Sequence, residues 1–285
     1  MGVNESETFD IGGEMTVHRL GFGAMSLGGS NNMYWPDDVD AAESVLERAV
    51  ELGVDFVDTA DMYGNGSSEC VVGRAIDVDR DDVVVATKGG ILKQPDASTT
   101  VSGDPAYLKN AALRSRVRLE TETIDLYQYH KPDPDVPIED SVTALAELKD
   151  EGIVRHIGLS NVDADQLERA RDVADVATVQ NYYNVANRDQ EDVLSVCENA
   201  GIGFIPYSPI DKATLEDGND VLDDVADAHD ASRYQIALAW LLERSDVTIP
   251  IPGTASLEHL EANVAATSVD LTDEELARLD DLDRE

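Results

Sequence analysis

Four side chains in this sequence have types and spacings that suit proton transfer: Asp58, Tyr63, Lys88 and His130. Asp58 and Tyr63 lie in Gly53-Val-Asp-Phe-Val-Asp-Thr-Ala-Asp-Met-Tyr-Gly64. Lys88 ends the apolar run Val83-Val-Val-Ala-Thr-Lys88, and His130 ends Ile124-Asp-Leu-Tyr-Gln-Tyr-His130. Each polar group stands at or just past the C-terminal end of a strand-like run, so parallel strands would gather all four on one face. A free phenol titrates near ~10, too high for an ideal donor at neutral pH. A neighbouring lysine favours the phenolate, and Lys88 is expected to lower the pKa of Tyr63. Asp58 would pair with Lys88, because an unpaired buried ammonium is costly. The combination reads as carbonyl chemistry. Singly, Asp58 reads as a helix N-cap, Tyr63 as a half-buried aromatic and His130 as a satisfied core histidine. Recurrence at successive strand ends favours the catalytic reading.

The elements that must position these residues alternate regularly. A hairpin-like opening from Thr8 to Arg19, with Gly12-Gly13 at its turn, precedes a first strand near Leu20-Gly-Phe-Gly23. Helix Val39–Leu52 follows, with Gly53 just past its end. Then come strand 55–58, helix 68–77, strand 83–87, helix 105–120, strand 124–129 and helix 139–151. The second half reads strand 153–159, helix 163–173, strand 176–180, helix 190–200 and strand 202–207. Helix 220–243, broken near Asp230, leads to strand 247–250, and helices 256–265 and 272–282 close the chain. Eight β-α units in ~250 residues predict an α/β fold of the (β/α)8 TIM-barrel class with a short N-terminal β-hairpin, as a single domain over residues 1–285. A doubly wound sheet would leave residues over. No Gly-x-Gly-x-x-Gly follows a strand, so a dinucleotide would not be held in the Rossmann manner.

Composition narrows the classes further. The 285 residues carry 59 acidic and 21 basic side chains, a formal charge of −38, with the acids spread along the whole chain. Such a surface repels itself in dilute buffer and is tolerated where salt screens it, the Debye length being ~3 Å at 1 M. The expectation is a cytoplasmic protein of a salt-accumulating halophile, with neither nucleic acid nor anionic membrane as partner. No apolar run is long enough to span a bilayer, and the acidic N-terminus lacks the apolar core of a secretory signal. Cys70 and Cys197, far apart in apparent helices, read as buried fillers rather than a disulfide. They and the five histidines show no metal-ligand spacing.

The chain resembles the aldo-keto reductases from about residue 9 to residue 266. The resemblance is carried by the 53–64 segment above, Gly152-Ile-Val-Arg-His-Ile-Gly-Leu-Ser-Asn161, Gln180-Asn-Tyr-Tyr-Asn184, Tyr207-Ser-Pro209 and Ile249-Pro-Ile-Pro-Gly-Thr254. Single motifs are modest signals; their order and spacing together are specific. The resemblance implies a barrel that binds a nicotinamide cofactor at its C-terminal face and reduces an aldehyde or ketone, a small carbonyl substrate. Tyr63 would be the general acid, Lys88 and Asp58 its tuning pair, and His130 would orient the substrate oxygen.

The resemblance also implies where the cofactor lies. Asn161 and Gln180 would hydrogen-bond the carboxamide beside Ser160, and Tyr207 would stack on the nicotinamide ring. Asn161 could equally cap the helix that follows it. Ser208, Pro209 and Ile210 would run under the pyrophosphate, and Gly23, Ala24 and Met25 would also touch the cofactor. Only about ten residues, 211–220, separate that segment from the next helix, so any lid is short. At the adenosine end the sequence departs from relatives that place lysine and arginine around a 2′-phosphate. Gly253 takes the lysine position and His259 the arginine position, while Thr254 and Asn263 are retained. A helix N-terminus near Ser256 still offers amide donors. NADP is the first expectation, with NAD the alternative.

Met33, Tyr34, Trp35, Met62, Leu92 and Lys131 fall on loops at the same face. Tyr34 and Trp35 form either an aromatic wall over the carbonyl or a cap on the barrel rim. Two further readings stay open. One is a non-catalytic nicotinamide-binding regulatory subunit of the same fold. The other is a barrel lyase or aldolase using Lys88 as a Schiff-base amine. The substrate and the oligomeric state are not specified by these residues.

Overall fold

The structure is a computed structural model describing residues 2–3, 8–29, 33–77, 82–210 and 220–282. It opens with a hairpin of β1 (Thr8–Ile11) and β2 (Met15–His18), paired antiparallel. The turn residues Gly12 and Gly13 have φ of 63° and 75°, the left-handed region that glycine enters without penalty. β3 (Phe22–Gly23), β4 (Phe56–Asp58), β5 (Val84–Gly89), β8 (Ile124–Tyr129), β9 (Val154–Ser160), β10 (Val176–Tyr182) and β11 (Gly203–Tyr207) pair in that order as one parallel sheet. Between β5 and β8, a small hairpin of β6 (Ile91–Lys93) and β7 (Thr99–Val101) rises from the rim. The sequence pattern does not reveal it, because its strands are three residues long and half exposed.

The expected eighth strand is extended but only partly laddered. Thr248 forms an isolated parallel bridge with Phe204; on the other edge Gly21 N donates to Pro250 O at 3.0 Å and Gly23 N to Pro252 O at 3.3 Å. These bonds reach both edge strands and close the sheet into a (β/α)8 barrel. Pro250 and Pro252 have no N–H to donate, so the ladder stops at a bridge.

Helices cover the outside: α1 (Val39–Glu51), α2 (Ser67–Ala75), α3 (Pro105–Leu119), α4 (Ile138–Asp150), α5 (Ala164–Arg171), α6 (Glu191–Ala200), α7 (Asp220–Ala228), α8 (Arg233–Arg244), α9 (Leu257–Ala265) and α10 (Asp273–Asp280). Their starts follow local capping: Asp38, Asp104, Asp163, Ser232, Ser256 and Thr272 each accept a bond from a first-turn amide. The break expected near Asp230 separates α7 from α8, and Asp230 has φ of 50°. Cys197 is buried as expected, whereas Cys70, on α2, is only partly buried.

Strand side chains alternate between the two faces with a period of two. Phe56, Val84, Ala86, Leu126, Ile205 and Ile249 fill the barrel interior with Ile11, Met15 and Val17 of the hairpin. Val57, Val83, Val85 and, farther round, Tyr127 and Phe204 face the helices. Continuing the inward series one step toward the C-terminal ends leads from Phe56 to Asp58, from Ala86 to Lys88 and from Leu126 to Gln128. The apolar plug thus ends where a polar layer begins.

Basic side chains on the outside pair with acids: Arg48 with Glu51 and Glu261, Arg169 with Glu139, and Arg278 with Asp224. Such exposed pairs contribute only ~0–1 kcal/mol each. They also leave a formal surplus of 38 negative charges on the chain. Mutual repulsion of that surplus opposes a folding free energy of only ~5–15 kcal/mol. The melting midpoint is therefore expected to climb steeply between ~0.1 and 3 M KCl as screening shortens the repulsion. Calorimetric scans across that range check this, and a flat or falling midpoint refutes it.

Candidate active site

The polar layer is centred on an ion pair cut off from solvent. Lys88 Nζ lies 2.6 Å from Asp58 Oδ1, with the two side chains 0 % and 2 % exposed. The ammonium also donates to Thr59 O at 2.8 Å and to the Tyr63 hydroxyl at 3.4 Å. The second carboxylate oxygen of Asp58 accepts from Gln128 Nε2 at 2.9 Å and from Gln180 Nε2 at 2.8 Å. Burial alone would pull the Lys88 pKa down, but Asp58 and Tyr63 outweigh it and the ammonium is held above its ordinary value.

Tyr63 reaches this pair from a 3-10 turn, Tyr63–Gly66, that follows β4. Its neighbours Gly64 and Asn65 both take left-handed conformations, which lets the chain reverse tightly over the barrel mouth. Segment 33–35 packs on that turn: Tyr34 O accepts from Ser67 Oγ and Met33 O from Asn65 Nδ2. Tyr34 and Trp35 are exposed, at 66 % and 47 %, so they stand on the rim rather than forming a closed wall.

The expected direction of the Tyr63 shift is overturned. Burial raises the phenol above its ordinary value, and the opposing pull of Lys88 does not cancel that. The sequence places Lys88 beside Tyr63 but does not show how deeply the pair is buried, and desolvation dominates. The phenol is therefore firmly protonated at neutral pH, as a proton donor must be.

His130 completes the group, its ring edge-on to Tyr63 with centroids 5.9 Å apart. Burial, and then the charge on Lys88, hold its pKa well below the usual value, so the imidazole is neutral. Its Nδ1 is buried without a hydrogen-bond partner among the described residues.

Beside this group runs a line of uncharged donors. Asn161, at φ 59°, gives its amide to His130 O at 2.9 Å and Ser160 Oγ at 3.0 Å, and accepts from the Tyr207 hydroxyl at 2.9 Å. It is not the cap of α5, a place Asp163 takes. Gln180 was expected on the carboxamide, but its Nε2 is engaged by Asp58, which leaves its carbonyl oxygen for that contact. Tyr207 is half-buried beside Tyr182 at 5.7 Å, Ser208 is exposed at φ 49°, Pro209 is buried and Ile210 half-buried. Residues 211–219 of the expected short lid lie outside the described residues.

Gly23 and Gly253 form a close backbone crossing. A Cβ on Gly253 would lie 2.6 Å from Gly23 O, and one on Gly23 would lie 2.7 Å from Ile251 O. Glycine at 253 is therefore a steric requirement of this barrel closure, where the sequence alone reads as a missing lysine. Ala24 is buried behind this crossing and Met25 is exposed. Thr254 is buried, its hydroxyl accepting from Ser256 N at 3.0 Å. Ser256 caps α9, His259 is exposed on its first turn, and Asn263 is buried one turn on. A half-exposed phenol, an amide-rich strand edge and a hydroxyl-capped helix start form a donor set that fits a nicotinamide dinucleotide, without side-chain cations at positions 253 and 259.

Sequence reasoning missed Gln128. Its signal was available, since it stands two residues before His130 on the inward face of β8. No cluster of three or more metal-ligating side chains occurs among the described residues.

Comparison with known proteins identifies the family. The model of the Aldo/keto reductase family matches residues 19–284. Pyridoxine 4-dehydrogenase of Escherichia coli is 37 % identical over 98 % of this chain and 99 % of its own. An uncharacterized oxidoreductase of Schizosaccharomyces pombe is 41 % identical over 94 % of this chain and 88 % of its own. A crystal structure of an aldo/keto reductase from Klebsiella pneumoniae, in complex with NADP and acetate, superposes with a TM-score of 0.83 at 31 % identity, covering 97 % of this chain and 95 % of that one. With a family match of this extent and relatives aligned along nearly their whole length, this chain belongs to the aldo/keto reductase family.

Proposed function

We propose that this protein reduces an aldehyde or ketone to an alcohol with NADPH, with Tyr63 as the general acid, as one catalytic domain over residues 1–285. The observation that carries this reading is the sealed contact of Lys88 with both Asp58 and Tyr63. Asn161, Gln180, Tyr207 and the start of α9 would hold the dinucleotide, whose chemistry would be the supply of hydride.

The protein's own residues supply the proton. Tyr63, raised in pKa by burial, stays protonated until the carbonyl oxygen gains charge. The ammonium of Lys88 then stabilises the phenolate left behind, and Asp58 keeps that ammonium charged and aimed. Neutral His130 can donate a hydrogen bond to the substrate oxygen without competing as an acid. The same geometry argues against a Schiff-base lysine: that chemistry needs a neutral, reachable amine, and Lys88 is fully buried with its charge favoured. The Escherichia coli relative's name makes pyridoxal a sensible substrate to test first, beside simpler aldehydes and ketones. We also propose, from the acidic surplus, that the protein works in the cytoplasm of a salt-accumulating cell; no helix among the described residues is long and apolar enough to cross a membrane.

Tyr63→Phe is expected to keep NADPH affinity, read by fluorescence quenching, and to lose turnover by ~10²-fold or more. Near-wild-type turnover in that variant would refute the mechanism.

At the adenosine end, His259→Arg is expected to strengthen selectivity for NADPH over NADH, because a guanidinium makes paired bonds to phosphate. Unchanged KM values for both cofactors would show that position 259 does not face the 2′-phosphate.

Asp61 adds a pH dependence to the same turn. Its Oδ1 is buried with no partner among the described residues, and burial, then repulsion from Glu69, push its pKa from 3.8 up to about 7. The folded state therefore holds this proton over a range where the unfolded chain has released it. Folding stability on this account is complete below pH ~4, falls as pH rises toward 7 and then levels, with a total loss of at most about 4 kcal/mol. Asp61→Asn is expected to raise the melting midpoint at pH 8 and to leave it nearly unchanged at pH 4. Equal shifts at the two values would rule Asp61 out as the titrating group.

A further inference from the structure

We propose that Gln128, with Gln180, is a positioning residue for Asp58: the two carboxamides hold one carboxylate oxygen so that the other stays fixed on Lys88. The proposal rests on the reading above, in which the Lys88 ammonium serves Tyr63.

The geometry is specific. Gln128 is 0 % and Gln180 2 % exposed, and both donate to the same atom, Asp58 Oδ2, at 2.9 and 2.8 Å. An ionised carboxylate only accepts, so the amide end of Gln128 must face it and the carbonyl end must turn away. That carbonyl, Oε1, is then buried with no hydrogen-bond partner among the described residues. A residue chosen for packing alone would be apolar here, as Leu126 is two positions earlier on the same face. The orphaned oxygen is the cost of keeping an amide, and the bond to Asp58 is what the amide provides.

Neighbouring strands make room for it. Gln128 stands in register with Lys88 on one side and with Gly158 on the other. A Cβ at Gly158 would lie 2.7 Å from Gln128 Cγ and 2.4 Å from Thr178 Oγ1, so glycine there leaves the side chain its space. Gln180 stands in register with Ser160, at the edge where the donor line begins. Gln128 belongs to the ion pair alone, whereas Gln180 joins the ion pair to the cofactor side.

With Lys88, the two amides give Asp58 three donors on two oxygens, which stops the carboxylate from rotating. Freed from Gln128, the carboxylate can turn and share its charge between rotamers. The ammonium then loses its fixed place 3.4 Å from the Tyr63 oxygen. The expected consequence is a loss in the proton-transfer step with cofactor binding untouched.

Two variants and one cycle test this. Gln128→Met is expected to lower kcat on the order of tenfold, the scale of one lost bond to a charged group, while NADPH binding by fluorescence quenching stays within about twofold. Gln128→Glu separates positioning from packing. The charged groups facing that position are Asp58 on β4 and Lys88 on β5, with Tyr63 beyond; His130 on its own strand is neutral, and Gly158 and Thr178 bring no charge. A protonated Glu donates to Asp58 as Gln does, whereas an ionised one repels it. The activity of Gln128→Glu relative to wild type is therefore expected to rise toward acid pH and collapse toward alkaline pH. A ratio independent of pH overturns the proposal, and this arm stands alone if Gln128→Met does not fold. Independently of turnover, thermal melts of wild type, Gln128→Met, Asp58→Asn and the double variant give the coupling between the two sites. The midpoint loss from Gln128→Met is expected to be much smaller in the Asp58→Asn background, and additive losses overturn the contact's role. If the wild-type protein reduces no carbonyl with either cofactor, the functional reading fails while this cycle still decides the role of Gln128.

Discussion

Taking a lysine ammonium out of water costs several kcal/mol even after the protein relaxes around it, and Lys88 is wholly enclosed. An isolated amine in that place would shed its proton. It keeps the proton because a carboxylate, a backbone carbonyl and a phenol oxygen stand within reach on three sides. That carboxylate is in turn held by two amides on its other oxygen. The participants come from four separated segments, 58–63, Lys88, Gln128 and Gln180, so the group assembles only when those strand ends are brought together by the fold. The ion pair is thus a constraint on the fold as well as a feature of the site.

The barrel meets the constraint by alternation. Inward positions on β4, β5 and β8 read apolar until the last one or two before the C-terminal end, where aspartate, lysine and glutamine replace them. The apolar layer below, plugged by Ile11, Met15 and Val17, keeps water from reaching the pair from beneath. Residues 33–35, pinned to the turn that carries Tyr63 through Ser67 and Asn65, set one side of the mouth above. The enclosure also gives opposite results for neighbouring groups: it raises the phenol of Tyr63 and lowers the imidazole of His130. Both end up neutral, beside an ammonium that does not.

Much of this was legible in the sequence because it is local. Asp58, Lys88 and His130 each sit at a strand end that periodicity and length define, and Tyr63 lies five residues beyond Asp58. The break near Asp230 and the Gly12-Gly13 turn follow from local chemistry as well. The rest depends on distance. The direction of the Tyr63 shift turns on how deeply the folded chain buries it, which no local window contains. Gln128 lay on a readable face, but its purpose appears only with Asp58, seventy positions earlier, against its amide. The incomplete eighth strand and the crossing of Gly23 with Gly253 arise where the two ends of the sheet meet. There the pattern of either segment alone is silent about the other.

That crossing bears on how an anionic dinucleotide could be held by so acidic a protein. Glycine at 253 leaves no side chain for a cation, and His259 stands exposed. What the described residues offer at that end is a helix start capped by Ser256, the hydroxyl of Thr254 and the unsatisfied amides of the first turn. These act through short hydrogen bonds, which lose little when salt shortens the Debye length to ~3 Å. A surface lysine attracts phosphate through a longer-ranged field, which molar salt largely removes. Salt strong enough to relieve the repulsion among 59 carboxylates would equally strip a cation-based phosphate site of its long-range pull. Uncharged donors on a fixed helix end would keep their hold under those conditions. The acidic surface and the absence of lysine or arginine at positions 253 and 259 are thus consistent with a single physical demand.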